Sequence, residues 1–303
     1  MATLSSLQAK VANALRPDNT AFNLTDITAY LNEGVQRIAK GIAIYEGVLS
    51  PPLPELYKTV NVDTVTYTSD TIAFVDSDPD TITDSDSGFL TAGFAAGMTI
   101  IISGAGEDGN NDTFHNVATV AAGTITLASS AALTAESAGE DITIRAPMVA
   151  LPSDYNRGLF LVSSGSQHRE IPIITSHHEL LRAYPLLDET GDVSFVAMKG
   201  DWLYYNPVPS TAETLTLHYY RDPSDMSEST DEPDGIPSYL QDRLLVNYAA
   251  KEIYALVEEA VKGNTLRGEK YEELFQKAML DLVAFIGPED IRPIYFKDDS
   301  GYY

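Results

Sequence analysis

The sequence predicts an α+β protein: a helical bundle core with a small antiparallel sheet, carrying an inserted all-β domain of sandwich or barrel-like form. Three observations carry this expectation. Apolar residues recur at helical spacing near both ends of the 303-residue chain. No Lys or Arg occurs between Lys58 and Arg145, while residues 60–147 hold 13 acidic side chains. That same window consists of short Thr-, Ile- and Val-rich runs broken by Gly, Asn and Asp, the texture of strands and turns.

Taken in order, a short helix is expected over residues 4–15, stopped by Pro17. Thr25 is the expected N-cap of a longer one, in which Ile27, Tyr30, Leu31, Val35, Ile38, Ile42 and Tyr45 fall on one face. The proline-rich SPPLPEL at 50–56 reads as a linker into a β module of about six strands. Ser176 and Glu179 have the spacing of a capping box for a short helix that ends before Pro185. Residues 193–198 and 202–206 flank Lys199-Gly200-Asp201 as a hairpin, and the alternation of Leu215, Leu217 and Tyr219 from Thr214 to Arg221 adds a third strand. Leu240, Leu244, Leu245, Tyr248, Ile253, Leu256 and Val257 mark a helix. Leu266, Tyr271, Leu274, Phe275, Ala278, Leu282 and Phe285 mark another, ended by Gly287 and Pro288. The expected parts are therefore residues 1–59 and 148–287 as the core, 60–147 as the insertion, and 288–303 as an extended C-terminal strap.

Composition excludes several functions. With 44 Asp and Glu against 19 Lys and Arg, the formal charge is −25, which argues against a broad phosphate-neutralising face. Cysteine is absent, which removes disulfides, thiolate metal sites and a cysteine nucleophile. The first residues lack the basic and apolar regions of a signal peptide, and the uncharged stretch 87–106 is too rich in Gly, Ser and Thr to span a membrane. Assembly in the cytoplasm, without membrane contact, is the expectation.

The motifs point away from catalysis. GAGEDG at 104–109 follows the apolar run Met98–Ile102 and fits G-x-G-x-x-G, but NNDTFHNVATV after it reads as turn and strand, so the helix that would receive a pyrophosphate is missing. Glu107, Asp108 and Asp112 would repel phosphate as well. Asp108, Asn110 and Asp112 have the one-three-five spacing of a calcium loop; Thr113 and Thr119 stand where an EF-hand needs Gly and Glu. These three remain candidate calcium ligands in a β-loop, against the alternative of a solvated acidic loop, and Asp76, Asp78, Asp80, Asp84 and Asp86 form a second acidic cluster. The histidines His115, His168, His177, His178 and His218 lack chelating spacing, and Ser163 to Ser166 lie in no nucleophile elbow. The residues assign no active site and no cofactor.

The C-terminal segment carries the other site expectation. Ile291, Pro293, Ile294, Tyr295, Phe296, Tyr302 and Tyr303 combine apolar bulk with a proline-stiffened backbone, as expected of a strap that docks on another subunit or partner, for instance by strand addition.

LPSDY at 151–155, GDWLYYNPVP at 200–209, TLTLHYYRDP at 214–223 and IPSYLQDRLLVNYAAKEIY at 236–254, in this order, resemble the head-to-tail adaptor, or head-completion, proteins of tailed bacteriophages. The segment from Ser87 to Val120 is similar to small β modules of phage tail and connector proteins. The resemblance implies a non-enzymatic virion protein at the head–tail interface. It implies a homo-oligomeric ring, commonly of twelve subunits, beneath the portal protein, which the strap would grip. Such a ring extends the channel through which genomic DNA passes without specific binding, and it gives tail or nozzle proteins their docking surface. Two alternatives stay open: an adaptor-associated peptidoglycan hydrolase, and a tail protein whose β module binds host glycan.

Overall fold

The computed structural model describes residues 2–15, 23–41, 43–44, 48–49, 52–129, 133–165, 169–174, 176–259 and 266–287. It divides into two compact units, one formed by residues 1–57 and 220–303 and the other by 58–219.

The first unit is helical. Helices α1 (Leu4–Leu15) and α2 (Leu24–Lys40) bury Leu4, Leu7, Val11 and Leu15, and Ile27, Leu31, Val35 and Ile38. The cap of α2 is Asn23 rather than Thr25: its side chain accepts from Asp26 N while Asp26 reaches back to Asn23 N, a reciprocal box that ties up two otherwise open donors. A short pair, β1 (Ala43–Ile44) and β2 (Val48–Leu49), follows. Late in the chain, α4 (Ser238–Gln241) runs through a π-helical turn at Asp242–Val246 into α5 (Asn247–Glu259), and α6 (Leu266–Ile286) packs against it. Tyr248, Phe275, Leu31 and Ile38 are fully buried in the shared core. At its centre α2 approaches α5 so closely that a Cβ on Gly34 would lie 2.8 Å from Tyr248 Cδ1. The Tyr248 hydroxyl donates to Glu33, and the Lys251 ammonium sits 5.0 Å from the Tyr248 ring and 5.1 Å from that of Phe275 while pairing with Glu272.

The second unit is almost entirely β. Strands β4 (Thr66–Ser69), β5 (Ile72–Val75), β6 (Thr81–Asp84), β7 (Thr99–Ser103), β8 (Phe114–Ala121), β9 (Thr124–Leu127) and β10 (Ile142–Arg145) form one antiparallel sheet in the order β4-β10-β7-β8-β9-β6-β5. Its outermost strands, β4 and β5, are consecutive and joined by the two-residue turn Asp70–Thr71, so the two edges of the sheet converge at that turn without pairing along their length. Glu136 covers part of the β5 edge, exchanging two backbone hydrogen bonds with Phe74. Alternate residues point inward: Ile72, Phe74, Ile82, Ile100, Ile102, Ile125, Ile142 and Ile144 are all buried.

Two four-stranded sheets complete this unit. One has the order β11 (Met148–Ala150), β16 (Trp202–Asn206), β15 (Phe195–Lys199), β14 (Ile173–Ile174). The other has β13 (Glu170–Ile171), β12 (Tyr155–Ser164), β17 (Thr214–Arg221), β3 (Tyr57–Asp63). Pro172, between β13 and β14, is where the chain steps from one sheet to the other. Leu203 and Tyr205 of the first sheet and Leu215, Leu217 and Tyr219 of the second share one apolar cluster with the buried face of the seven-stranded sheet. Helix α3 (His177–Ala183), capped by Ser176, packs on β15.

The fold class expected from sequence is thereby corrected. The described residues hold 17 strands in four sheets and six α-helices, so the chain is mainly β and is not a helical bundle bearing a small sheet. The error has a physical cause. The strand at 214–221 does not join the 195–206 hairpin; it pairs with β12 and with β3, over 150 residues earlier in the chain. Alternation within a strand reveals which residues face inward but not which distant strand lies beside it.

Substituting Gly34→Ala tests the helical packing. The gain of about 1 kcal/mol in helix propensity is outweighed by overlap with the Tyr248 ring. A net loss of about 1–3 kcal/mol is expected in urea denaturation followed by circular dichroism.

Candidate functional site

The glycine loop at 104–109 leaves β7 and reaches β8 through a 3-10 turn at Asp108–Asn110, so a hairpin and not a helix follows it. Gly104 is held at φ +85°, with Asp141 O only 2.5 Å from where a Cβ would sit. The backbone N–H groups of Gly106 and Glu107 do converge on an anion, as a phosphate loop's would, but that anion is the carboxylate of Glu136, at 2.7 and 3.2 Å. Asn110 Nδ2 donates to the same carboxylate at 3.1 Å, and the Asn110 side-chain oxygen accepts from Thr134 N at 2.8 Å. The loop is thus an anion nest filled by the chain itself.

This geometry locates the three candidate calcium ligands. Asn110 is buried and its side chain is committed to residues 134–136; Asp112 stands at φ +54°, its N–H bonded to Ile102 O; Asp108 lies in the 3-10 turn. No group of three or more His, Asp or Glu side chains placed to hold a metal ion occurs among the described residues.

The second acidic cluster is split. Asp80 and Asp84 face inward and are buried. Asp80 accepts from Ser77 N and Leu133 N. Asp84 accepts from Gly88 N at 2.8 Å, the Tyr67 hydroxyl at 3.0 Å, the Thr71 hydroxyl at 2.5 Å and Asp86 N at 3.2 Å. Burial opposes ionisation of Asp84, but these four donors outweigh it and hold the carboxyl below its ordinary range. Asp84 therefore serves as the staple of the 84–88 turn.

The histidines are scattered. Burial pushes the His115 imidazole below its ordinary pKa, partly opposed by Asp80, and Thr113 bonds its Nε2. His218 Nδ1 lies 3.2 Å from the Thr59 hydroxyl on the face shared by β17 and β3. His177 is buried beneath α3, whereas His178, beside it, points outward. His168 lies outside the described residues. A polar pocket of 620 Å³, which sequence reasoning did not find, is lined by Asn61, Asp192, Ser210, Glu213, Thr214 and Thr216.

Apolar exposure concentrates on the late helices. Phe285 and Tyr239 are 57% and 58% exposed, yet they meet edge to face with centroids 5.6 Å apart. Arg243 and Asp281, one helical turn further along each partner, form an ion pair of 2.6 Å beside them. Leu274 and Leu280 on α6 and Leu256 on α5 are exposed as well. The stripe expected to face inward is thus narrower than the apolar spacing implies: Phe275, Ala278, Met279 and Leu282 fill the core, while Leu274 and Phe285 lie on its flank. Gly287, at φ +82°, ends α6. The strap residues Ile291, Pro293, Ile294, Tyr295, Phe296, Tyr302 and Tyr303 lie outside the described residues.

A chain with exposed apolar helix faces, and with the acidic side chains detailed above engaged in holding turns, has the character of an assembly component. Residues 117–292, more than half of the chain, match the family described as SU10 adaptor protein. The chain belongs to this family of phage adaptors and is a structural component of the virion. No curated protein matches it. No helix among the described residues is long and apolar enough to cross a membrane.

Two substitutions test the loop assignments. Glu136→Ala leaves three donors without their acceptor and is expected to cost about 1–3 kcal/mol in thermal or urea unfolding, while EGTA leaves the melting temperature of the unsubstituted protein unchanged. Asp84→Asn is expected to destabilise the seven-stranded sheet most at neutral pH. Because the folded-state pKa of Asp84 is lowered, its contribution is complete above the ordinary carboxylate range and fades as pH falls through the lowered value. The difference between Asp84→Asn and the parent should therefore shrink in acid titrations as the pH falls below the ordinary carboxylate range.

Proposed function

We propose that this adaptor acts without catalysis, as a ring of identical subunits seated beneath the portal. The ring would extend the DNA channel and offer tail or nozzle proteins their docking surface. The family match over residues 117–292 carries this reading. The uncovered side chains of α4, α5 and α6 support it: water-exposed Tyr239, Leu256, Leu274, Leu280 and Phe285 are the kind of surface that subunit contacts bury. The formal charge of −25 suits a conduit, since carboxylates repel the phosphate backbone instead of trapping it.

Residues 288–303 are the proposed portal strap. In sequence they follow α6, whose exposed Phe285 meets Tyr239 of α4, and Ile291, Pro293, Ile294, Tyr295, Phe296, Tyr302 and Tyr303 would supply the apolar contacts. Deleting 288–303 is expected to abolish co-sedimentation with the portal protein while leaving the melting temperature within a few degrees of the parent. Undiminished portal binding after deletion would refute the strap. Electron microscopy of the intact chain mixed with portal protein tests the ring, and a zymogram is expected to show no lytic band.

A further inference from the structure

Helix α3 is held on its sheet by a small apolar cluster separate from the large core of the same unit. Leu180, Leu187 and Ala197 are its buried members, with Ile174, Leu181, Tyr184, Phe195 and Tyr204 packed around them. Within this seat lies His177. Its ring is 4.2 Å, centroid to centroid, from that of Tyr204, and the residue is 8% exposed. Neither Nδ1 nor Nε2 has a hydrogen-bond partner. A neutral imidazole so placed already forgoes the hydrogen bonds it makes in water, and an imidazolium would forgo far more.

The surroundings reinforce this. Strand β15 contributes Lys199 and α3 itself contributes His178, and both disfavour a further positive charge at His177. Strand β16 contributes the Tyr204 phenol, whose own ionisation is pushed up by burial, and β14 contributes only Ile173 and Ile174. The remaining charged groups of α3, Glu179 and Arg182, line an open depression with His178 and Leu181. Burial first, then Lys199 and His178, hold the imidazole below its ordinary pKa.

We propose that His177 makes α3 a proton-released flap: acidification frees the helix from β15 and β16 and uncovers the apolar strip of Ile174, Phe195, Ala197 and Tyr204. The direction follows from linkage. In the released helix His177 is solvated and titrates at its ordinary value, whereas in the seated helix it titrates lower. The seat is therefore at full strength above the ordinary histidine pKa of about 6.5 and weakens as pH falls from there toward the lowered value. Within that window the opening equilibrium grows by up to about tenfold per pH unit.

Hydrogen exchange of the intact chain between pH 7.5 and 5, corrected for intrinsic rates, tests the proposal. Peptides covering 176–187 are expected to lose protection several-fold on acidification, while peptides from β8 and β9 keep theirs. His177→Leu, which fills the seat with an apolar group, should keep α3 protected at both pH values, and His178→Gln, which removes only the smallest of the three influences on His177, should keep most of the parent's pH dependence. Equal protection of 176–187 at pH 7.5 and 5 in the parent, or pH dependence that survives in His177→Leu, would overturn the idea. Should that variant fail to fold, imidazole proton resonances of the parent decide. His177 titrating below the ordinary histidine value of about 6.5, in step with loss of α3 protection, supports the flap; His177 titrating at that ordinary value with α3 still protected refutes it.

Discussion

One continuous apolar core ties residues 58–219 together, and the architecture of that unit follows from it. Side chains from the seven-stranded sheet and from both four-stranded sheets belong to a single buried cluster, in which Val65, Phe89, Leu203 and Leu217 take part alike. Strands β6, β9 and β17 bury every second residue, so their other positions are left mainly for Thr and His. The sheets cannot be separated into modules without opening that cluster to water. This is why the second half of the unit is not an accessory of the helices.

The same core explains what the acidic side chains do. A surface with such an excess of carboxylates repels itself, but part of the excess is turned inward and paired with backbone donors. Asp80, Asp84 and Glu136 each accept N–H groups that a turn would otherwise leave open. The chain thereby uses its own anions to close loops that in other proteins receive ligand phosphates. In the helical unit Asp26, Asp231 and Asp234 hold backbone donors in the same way, and opposite charges also pair, as in Arg221 with Asp234 and Lys251 with Glu272.

Much of the local structure was legible in the sequence. The helices at 4–15 and 266–286, the hairpin about Gly200 and the turn nature of 104–109 follow from periodicity and from residues with a known backbone preference. Pairing over long distances was not legible: nothing in TLTLHYYR announces that its neighbour is YKTVNVD. Nor was the role of Glu136, because an acceptor 30 residues from Gly106 carries no local signal. Phe285 was readable as helical but misplaced, since a stripe spaced for burial also describes a flank left uncovered. The adaptor character lay in the order of several short motifs, none of which forms a site in the chemical sense.

The way the chain enters and leaves its β elements has an evolutionary consequence. It goes into the seven-stranded sheet at Val65 and comes out at Ala146, and Ala146 N bonds Val65 O at 2.9 Å. The whole β unit likewise begins on β3 and ends on β17, which are neighbours in one sheet. Each nested segment thus closes its own doorway with backbone hydrogen bonds. Genetic exchange of the whole β unit as one cassette would leave severed ends already side by side to be rejoined, whereas the seven-stranded segment, which shares its core with the other two sheets, stays bound to them.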